Sequence, residues 1–135
     1  MTLPSSAIPS SDVRRILVIE DEPSVASFLR TALERRGYDV VSSPSAVEGL
    51  QLLASKDFSG VISDFRTPGG ISGADLRDWL VRHRPQLATR VIFITGDTAS
   101  SETIALLEQA RTPCVEKPFR VHELLAVVEK TIGKP

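Results

Sequence analysis

The chain has 135 residues, 41% hydrophobic and 24% charged, the size and make-up of one domain that can bury a single core. With 16 Lys and Arg against 17 Asp and Glu the net charge is −1, which gives no electrostatic reason to expect nucleic acid or an anionic membrane as partner. Apolar runs of about five residues fall far short of the roughly 20 needed to span a bilayer, the opening MTLPSSAIPSSD has no signal-peptide pattern, and a single cysteine, Cys114, excludes an internal disulfide framework. Cytoplasm is the expected compartment.

Residues 1–12 are rich in Pro and Ser, with Leu3 and Ile8 as their sizeable apolar side chains, and are expected to form a disordered leader or linker. The folded domain is expected over 13–135. From Val13 the chain alternates short apolar runs with amphipathic stretches. The runs are Ile16–Ile19, Val40–Val41, Gly60–Ser63, Val91–Ile94 and Cys114–Val115. Most are β-branched without strict alternation, as in parallel strands buried on both faces; Val40–Val41 is the weakest.

Helical spacing fills the intervals. Val25, Phe28, Leu29, Ala32 and Leu33 mark the first helix, and Val121, Leu124, Leu125, Val128 and Ile132 the last. Pro23 suits the first turn of the first helix and Gly37 the left-handed position after its end. Ser45 with Glu48 and Ser72 with Asp75 predict capping boxes for the second and third helices, and Pro85 follows the third. Arg120 is a poor cap for the last. Five strands alternating with five helices imply a three-layer α/β domain with right-handed crossovers.

Ligands of such sheets sit outside the carboxyl ends of the strands. The first strand ends in Glu20-Asp21-Glu22, the third in Asp64, the fourth in Thr95-Gly96 and the fifth in Lys117-Pro118. Carboxylates from different strands repel unless a cation lies between them. A hard ion such as Mg²⁺ accepts carboxylate oxygens while keeping several waters. A carboxylate can also attack a phosphoryl group, whose oxygens then need a metal and a fixed cation. Lys117 suits the cation, the Thr95 hydroxyl can donate to a third oxygen, and Gly96 leaves room beside it.

On the motifs VIEDEP (18–23), SDFRTPGG (63–70), FITGD (93–97) and VEKPF (115–119), the chain resembles a response-regulator receiver domain of two-component signal transduction, from about Arg14 to Ile132. Each motif alone is weak; four in order at successive strand ends are specific. The resemblance implies a flavodoxin-like fold with strand order 2-1-3-4-5. It implies Asp64 as phospho-acceptor, Mg²⁺ (or Mn²⁺) held by Glu20, Asp21, Asp64 and the backbone carbonyl of Arg66, Thr95 and Gly96 at the switch, and Lys117 on the phosphate. It also implies a cis peptide at Lys117-Pro118. The implied partner is a histidine kinase or a histidine phosphotransfer domain, with a homodimer expected through the fourth helix, fifth strand and fifth helix; from the near-neutral charge, neither nucleic acid nor membrane is expected as a partner. Self-catalysed phosphorylation and dephosphorylation, without turnover of an external substrate, is the expected chemistry. The domain is read either as a stand-alone receiver or as the terminal receiver of a hybrid histidine kinase.

The sequence departs from the pattern in several places. Glu20 is one methylene longer than the common Asp, so water-mediated reach to an ion is expected. The loop after Asp64 is about one residue longer than usual. Cys114 stands where an aromatic side chain usually reports activation, so signalling through that face is expected to be altered; the thiol is read as a small buried hydrophobe. His83, His122 and Trp79 are read as surface or packing residues. Arg66 and Asp97, two residues after Asp64 and Thr95, are expected to pair across the pocket mouth and slow self-dephosphorylation. Two other readings stand beside this one: an Asp-nucleophile phosphatase of the haloacid dehalogenase type, which wants a second acid where Arg66 stands, and a degenerate, phosphorylation-independent binding module. A phosphate-cradling GxxxxGK[ST] or GxGxxG does not follow the first strand.

Overall fold

The computed structural model describes residues 14–65, 71–96, 105, 108 and 112–135. Its strands are β1 (Arg15–Ile19), β2 (Asp39–Ser43), β3 (Gly60–Asp64), β4 (Val91–Thr95) and β5 (Cys114–Glu116). The described helices are α1 (Pro23–Arg36), α2 (Ala46–Ser55), α3 (Gly73–His83), the single turn α4 (Pro85–Ala88) and α5 (Val121–Thr131). The strands form one parallel sheet in the order β2-β1-β3-β4-β5, the flavodoxin-like arrangement the sequence implies.

Side chains alternate between the two faces of the sheet, so each face has its own core. Ile16, Val18, Ile62, Ile92, Ile94 and Val115 meet Leu29 and Leu33 of α1 and Leu124 and Val128 of α5. On the other face Leu17, Ile19, Val61, Val91 and Phe93 meet Leu53 of α2, Leu76 and Leu80 of α3, and Leu87 of α4. The weak Val40–Val41 run grows to five residues as an edge strand, with Val40 buried in the core on the α1 side and Val41 partly buried against the core on the other face.

The end signals mostly hold. Pro23 opens α1, and Gly37 closes it at φ 110°, a left-handed conformation that glycine adopts without Cβ strain. Ser72 and Asp75 form a reciprocal capping box. At α2 the Ser45 hydroxyl accepts from the Glu48 amide, and this half of the box is the one present there. Arg120 contributes no side-chain cap; instead the Glu123 carboxylate accepts from its amide.

Three expectations need correction or limits. Pro85 does not merely follow α3 but starts α4, since proline's fixed φ suits a first helical position. Phe28 and Val121 lie outside the core, 44% and 38% exposed, and line a cleft between α1 and α5. The leader 1–12 and most of the helix expected between β4 and β5 lie outside the described residues; residues 105 and 108 in that interval are helical. The expected dimer face is therefore described only in its β5 and α5 parts.

At the sheet end opposite the carboxyl ends of the strands, the two ends of the described chain meet. Arg14 Nε donates to the Lys134 carbonyl at 2.7 Å and the Tyr38 hydroxyl to the Gly133 carbonyl at 2.6 Å. Among the described residues no helix is long and apolar enough to cross a membrane.

Candidate functional site at the carboxyl ends of the strands

Four strand ends build the site. Glu20 and Asp21 leave β1 directly after Ile19, and α1 starts two residues later, so the chain turns sharply over the rim. Asp64 is the last residue of β3, Thr95 the last of β4, and Lys117 the first after β5. Two backbone bonds fix the last two ends: the Phe65 amide donates to the Ile94 carbonyl at 2.9 Å, and the Lys117 amide to the Thr95 carbonyl at 2.7 Å. The Lys117-Pro118 bond is cis.

Glu20, Asp21 and Asp64 offer carboxylate oxygens that all lie within 4.8 Å of one another. Glu20 is buried, Asp64 partly so, and Asp21 is exposed. The Glu20 carboxylate accepts from the Glu22 amide at 3.2 Å, and its backbone amide donates to the Ser43 carbonyl. Lys117 Nζ stands 3.3 Å from Glu20 Oε1 and 3.3 Å from Asp64 Oδ2. Thr95 is 2% exposed, and its Oγ1 lies 3.4 Å from Cys114 Sγ.

The electrostatics follow from this crowding. Burial pushes the Glu20 carboxyl above its ordinary range, and the charge of Asp64 adds to the push, against the Glu22 amide and Lys117. Lys117 is also raised: burial works against its charge, but Asp64 and Glu20 together outweigh it. Three carboxylates facing one ammonium leave net negative charge. Such an all-oxygen donor set, with one exposed member open to solvent, suits a hard divalent ion that retains water ligands.

Thus Glu20, Asp21, Asp64, Thr95, Gly96 and Lys117 gather at one rim, whereas Arg66 with its carbonyl, and Asp97, lie outside the described residues. Cys114 is exposed rather than buried. The reason is its place on a three-residue edge strand that turns only Val115 inward. The Thr95–Cys114 contact and the fold-back of Glu20 onto its own loop amide are not among the expectations drawn from the sequence. The first was legible in principle, from two small side chains with polar atoms on strands expected to be neighbours. His83 stacks against the half-buried Trp79 on α3, away from the rim.

The response regulator receiver domain model matches residues 16–129. The chain belongs to this family. It is 34% identical over 119 residues to the transcriptional regulatory protein KdpE of Mycobacterium tuberculosis, covering 88% of this chain and 51% of that one. To the response regulator ArlR of Staphylococcus aureus it is 30% identical over 120 residues, covering 89% and 53%. The receiver thus spans about half the length of the curated relatives it matches. A receiver domain of Clostridium thermocellum superposes with a TM-score of 0.76 at 27% identity, covering 89% of this chain and 94% of that one. The CheY-like receiver domain protein of Methanospirillum hungatei gives 0.80 at 25%, covering 90% and 94%. The expectation that nucleic acid is no partner finds no support here, because relatives such as KdpE are transcriptional regulatory proteins.

Proposed function

We propose that this receiver takes a phosphoryl group onto Asp64 from a phosphohistidine of a histidine kinase or phosphotransfer domain. The observation that carries the reading is Lys117, whose ammonium stands 3.3 Å from both Asp64 and Glu20 beside the three-carboxylate cluster. An Asp64 carboxylate oxygen forms the new O–P bond as the P–N bond breaks, its electron pair returning to the imidazole nitrogen. Lys117 holds a phosphoryl oxygen, the Thr95 hydroxyl donates to another, and Gly96 leaves space for the group. Glu20, Asp21 and Asp64 would hold Mg²⁺ or Mn²⁺, which when bound supplies neutralisation of the phosphoryl charge. Water later releases phosphate from the acyl phosphate, so the domain cycles without turning over another substrate.

Incubation with acetyl phosphate and Mg²⁺, read by intact mass, tests this. A Mg²⁺-dependent gain of one phosphoryl group in the native protein and none in Asp64→Asn is expected. No adduct in the native protein, or one that persists in Asp64→Asn, overturns the reading.

A further inference from the structure

In the sheet β4 lies between β3 and β5, so Thr95 has the strand of Asp64 on one side and that of Cys114 on the other. Its hydroxyl is engaged on the β5 side, where Oγ1 is 3.4 Å from Sγ of Cys114 and either atom can donate. Phe93 pairs with Cys114 and Thr95 with Glu116. Residues two apart share a face, so this is a diagonal contact on the face of Phe93. Thr95 is buried while Cys114 is exposed, which makes the thiol the solvent-side end of the pair.

We propose that Cys114 is a positioning residue for the chemistry at Asp64. Its thiol holds the Thr95 hydroxyl toward β5, and this bond must open before Thr95 can donate to a phosphoryl group on Asp64. The inference rests on the receiver reading above. A β-branched side chain occupies discrete, widely separated χ1 wells, so one Thr95 rotamer does not serve both neighbouring strands. Turning from β5 to β3 is a rotamer change that breaks the contact with sulfur. A buried hydroxyl without a partner is costly, and the thiol satisfies it while the acceptor is unmodified. Sulfur is a weak partner, whereas bonds to ionised oxygens are roughly twice as strong as neutral ones. The phosphoryl group therefore outcompetes the thiol once it arrives. In this chain the hydroxyl is held by a polar contact, with no large side chain to move.

Two measurements on the full chain decide it. In the unmodified protein, three-bond NMR couplings should give a single Thr95 χ1 rotamer in the native form and in Cys114→Ser, and averaging in Cys114→Ala. In a Mg²⁺–beryllofluoride titration, Cys114→Ala should bind about threefold more tightly than native, because a neutral hydrogen bond no longer has to be broken. Cys114→Ser should bind no more tightly than native, and the alanine effect should vanish in a Thr95→Val background. A purely steric role for Cys114 would shift the Ala and Ser variants alike, and that result overturns the proposal. So does an unaveraged Thr95 rotamer in Cys114→Ala, or an alanine effect that survives Thr95→Val. If the native protein itself does not bind beryllofluoride, the receiver reading falls and this proposal with it; an indifferent Cys114→Ala beside a responsive native protein removes this proposal alone.

Discussion

Lys117 reaches Asp64 across an intervening strand: its Nζ stands 3.3 Å from Asp64 Oδ2, although β4 separates β3 from β5. The reach is fixed from behind by the Lys117 amide, which donates to the Thr95 carbonyl at 2.7 Å. One ammonium therefore acts as counter-ion to two carboxylates of a crowded rim, and ligands of opposite charge should feel it with opposite sign.

Lys117→Met keeps the stem and removes the charge. Mg²⁺ affinity should rise severalfold at low salt, since a cation no longer faces a resident cation. Beryllofluoride affinity at saturating Mg²⁺ should fall about tenfold or more, as hydrogen bonds from charged donors are worth about 1.5–3 kcal/mol. Titration calorimetry of both ligands reads the two signs. Affinities that move together would contradict this account of Lys117.

The Glu20 carboxyl has a native pKa raised above its ordinary value of 4.5, first by burial and then by Asp64. The folded protein thus binds this proton more tightly than the unfolded chain. Stability should fall as pH rises from about 4.5 through the native value, and the penalty persists above it. Glu20→Gln removes that penalty and can still accept from the Glu22 amide. In EDTA at pH 7 it should melt above the native protein, with the advantage shrinking on acidification and gone below the ordinary carboxyl range. Saturating Mg²⁺ should reverse the order, because a ligand at 100 times its Kd stabilises by about 2.7 kcal/mol. A glutamine variant that melts below native in EDTA at pH 7 would show that the carboxylate is not penalised.

Gly73 is required by its neighbours. A Cβ there would stand 2.4 Å from Phe65 Cδ1 and 2.9 Å from Phe93 Cε1. The Phe65 backbone is held on both sides, to Ile94 and to the Gly73 amide, so the rings must yield, disturbing their edge-on contact at 5.2 Å. Gly73→Ala should cost about 1–3 kcal/mol in denaturant unfolding and slow phosphorylation at the adjacent Asp64. Trimming the ring in Gly73→Ala/Phe65→Leu should recover part of both. A loss within about 0.5 kcal/mol, the scale of an ordinary surface change, would remove this role for Gly73.

Much of this architecture is legible in the sequence because parallel strands buried on both faces write themselves as β-branched runs, and rim residues sit at fixed places after each run. Glu20, Asp21, Asp64, Thr95 and Lys117 all stand at such places. Four features are not legible there. The start of α4 at Pro85 hides in a residue that can either end or begin a helix. The exposure of Cys114 depends on β5 being a short edge strand, which Cys114–Val115 alone does not reveal. Phe28 and Val121 fit the helical period yet stand out of the core, since period fixes the face of a helix but not how far the neighbouring helix covers it. The fold-back of Glu20 onto the Glu22 amide arises from the tight turn into α1, a local geometry that composition does not encode.

The bond from Arg14 to the Lys134 carbonyl has a practical consequence for topology. It brings the start of β1 and the segment after α5 together at the sheet end remote from Glu20, Asp21 and Asp64. A short peptide could close that gap, and a new opening could be cut in an exposed connection such as Lys56–Asp57, giving a circular permutant whose carboxylate rim is assembled from the same strand ends.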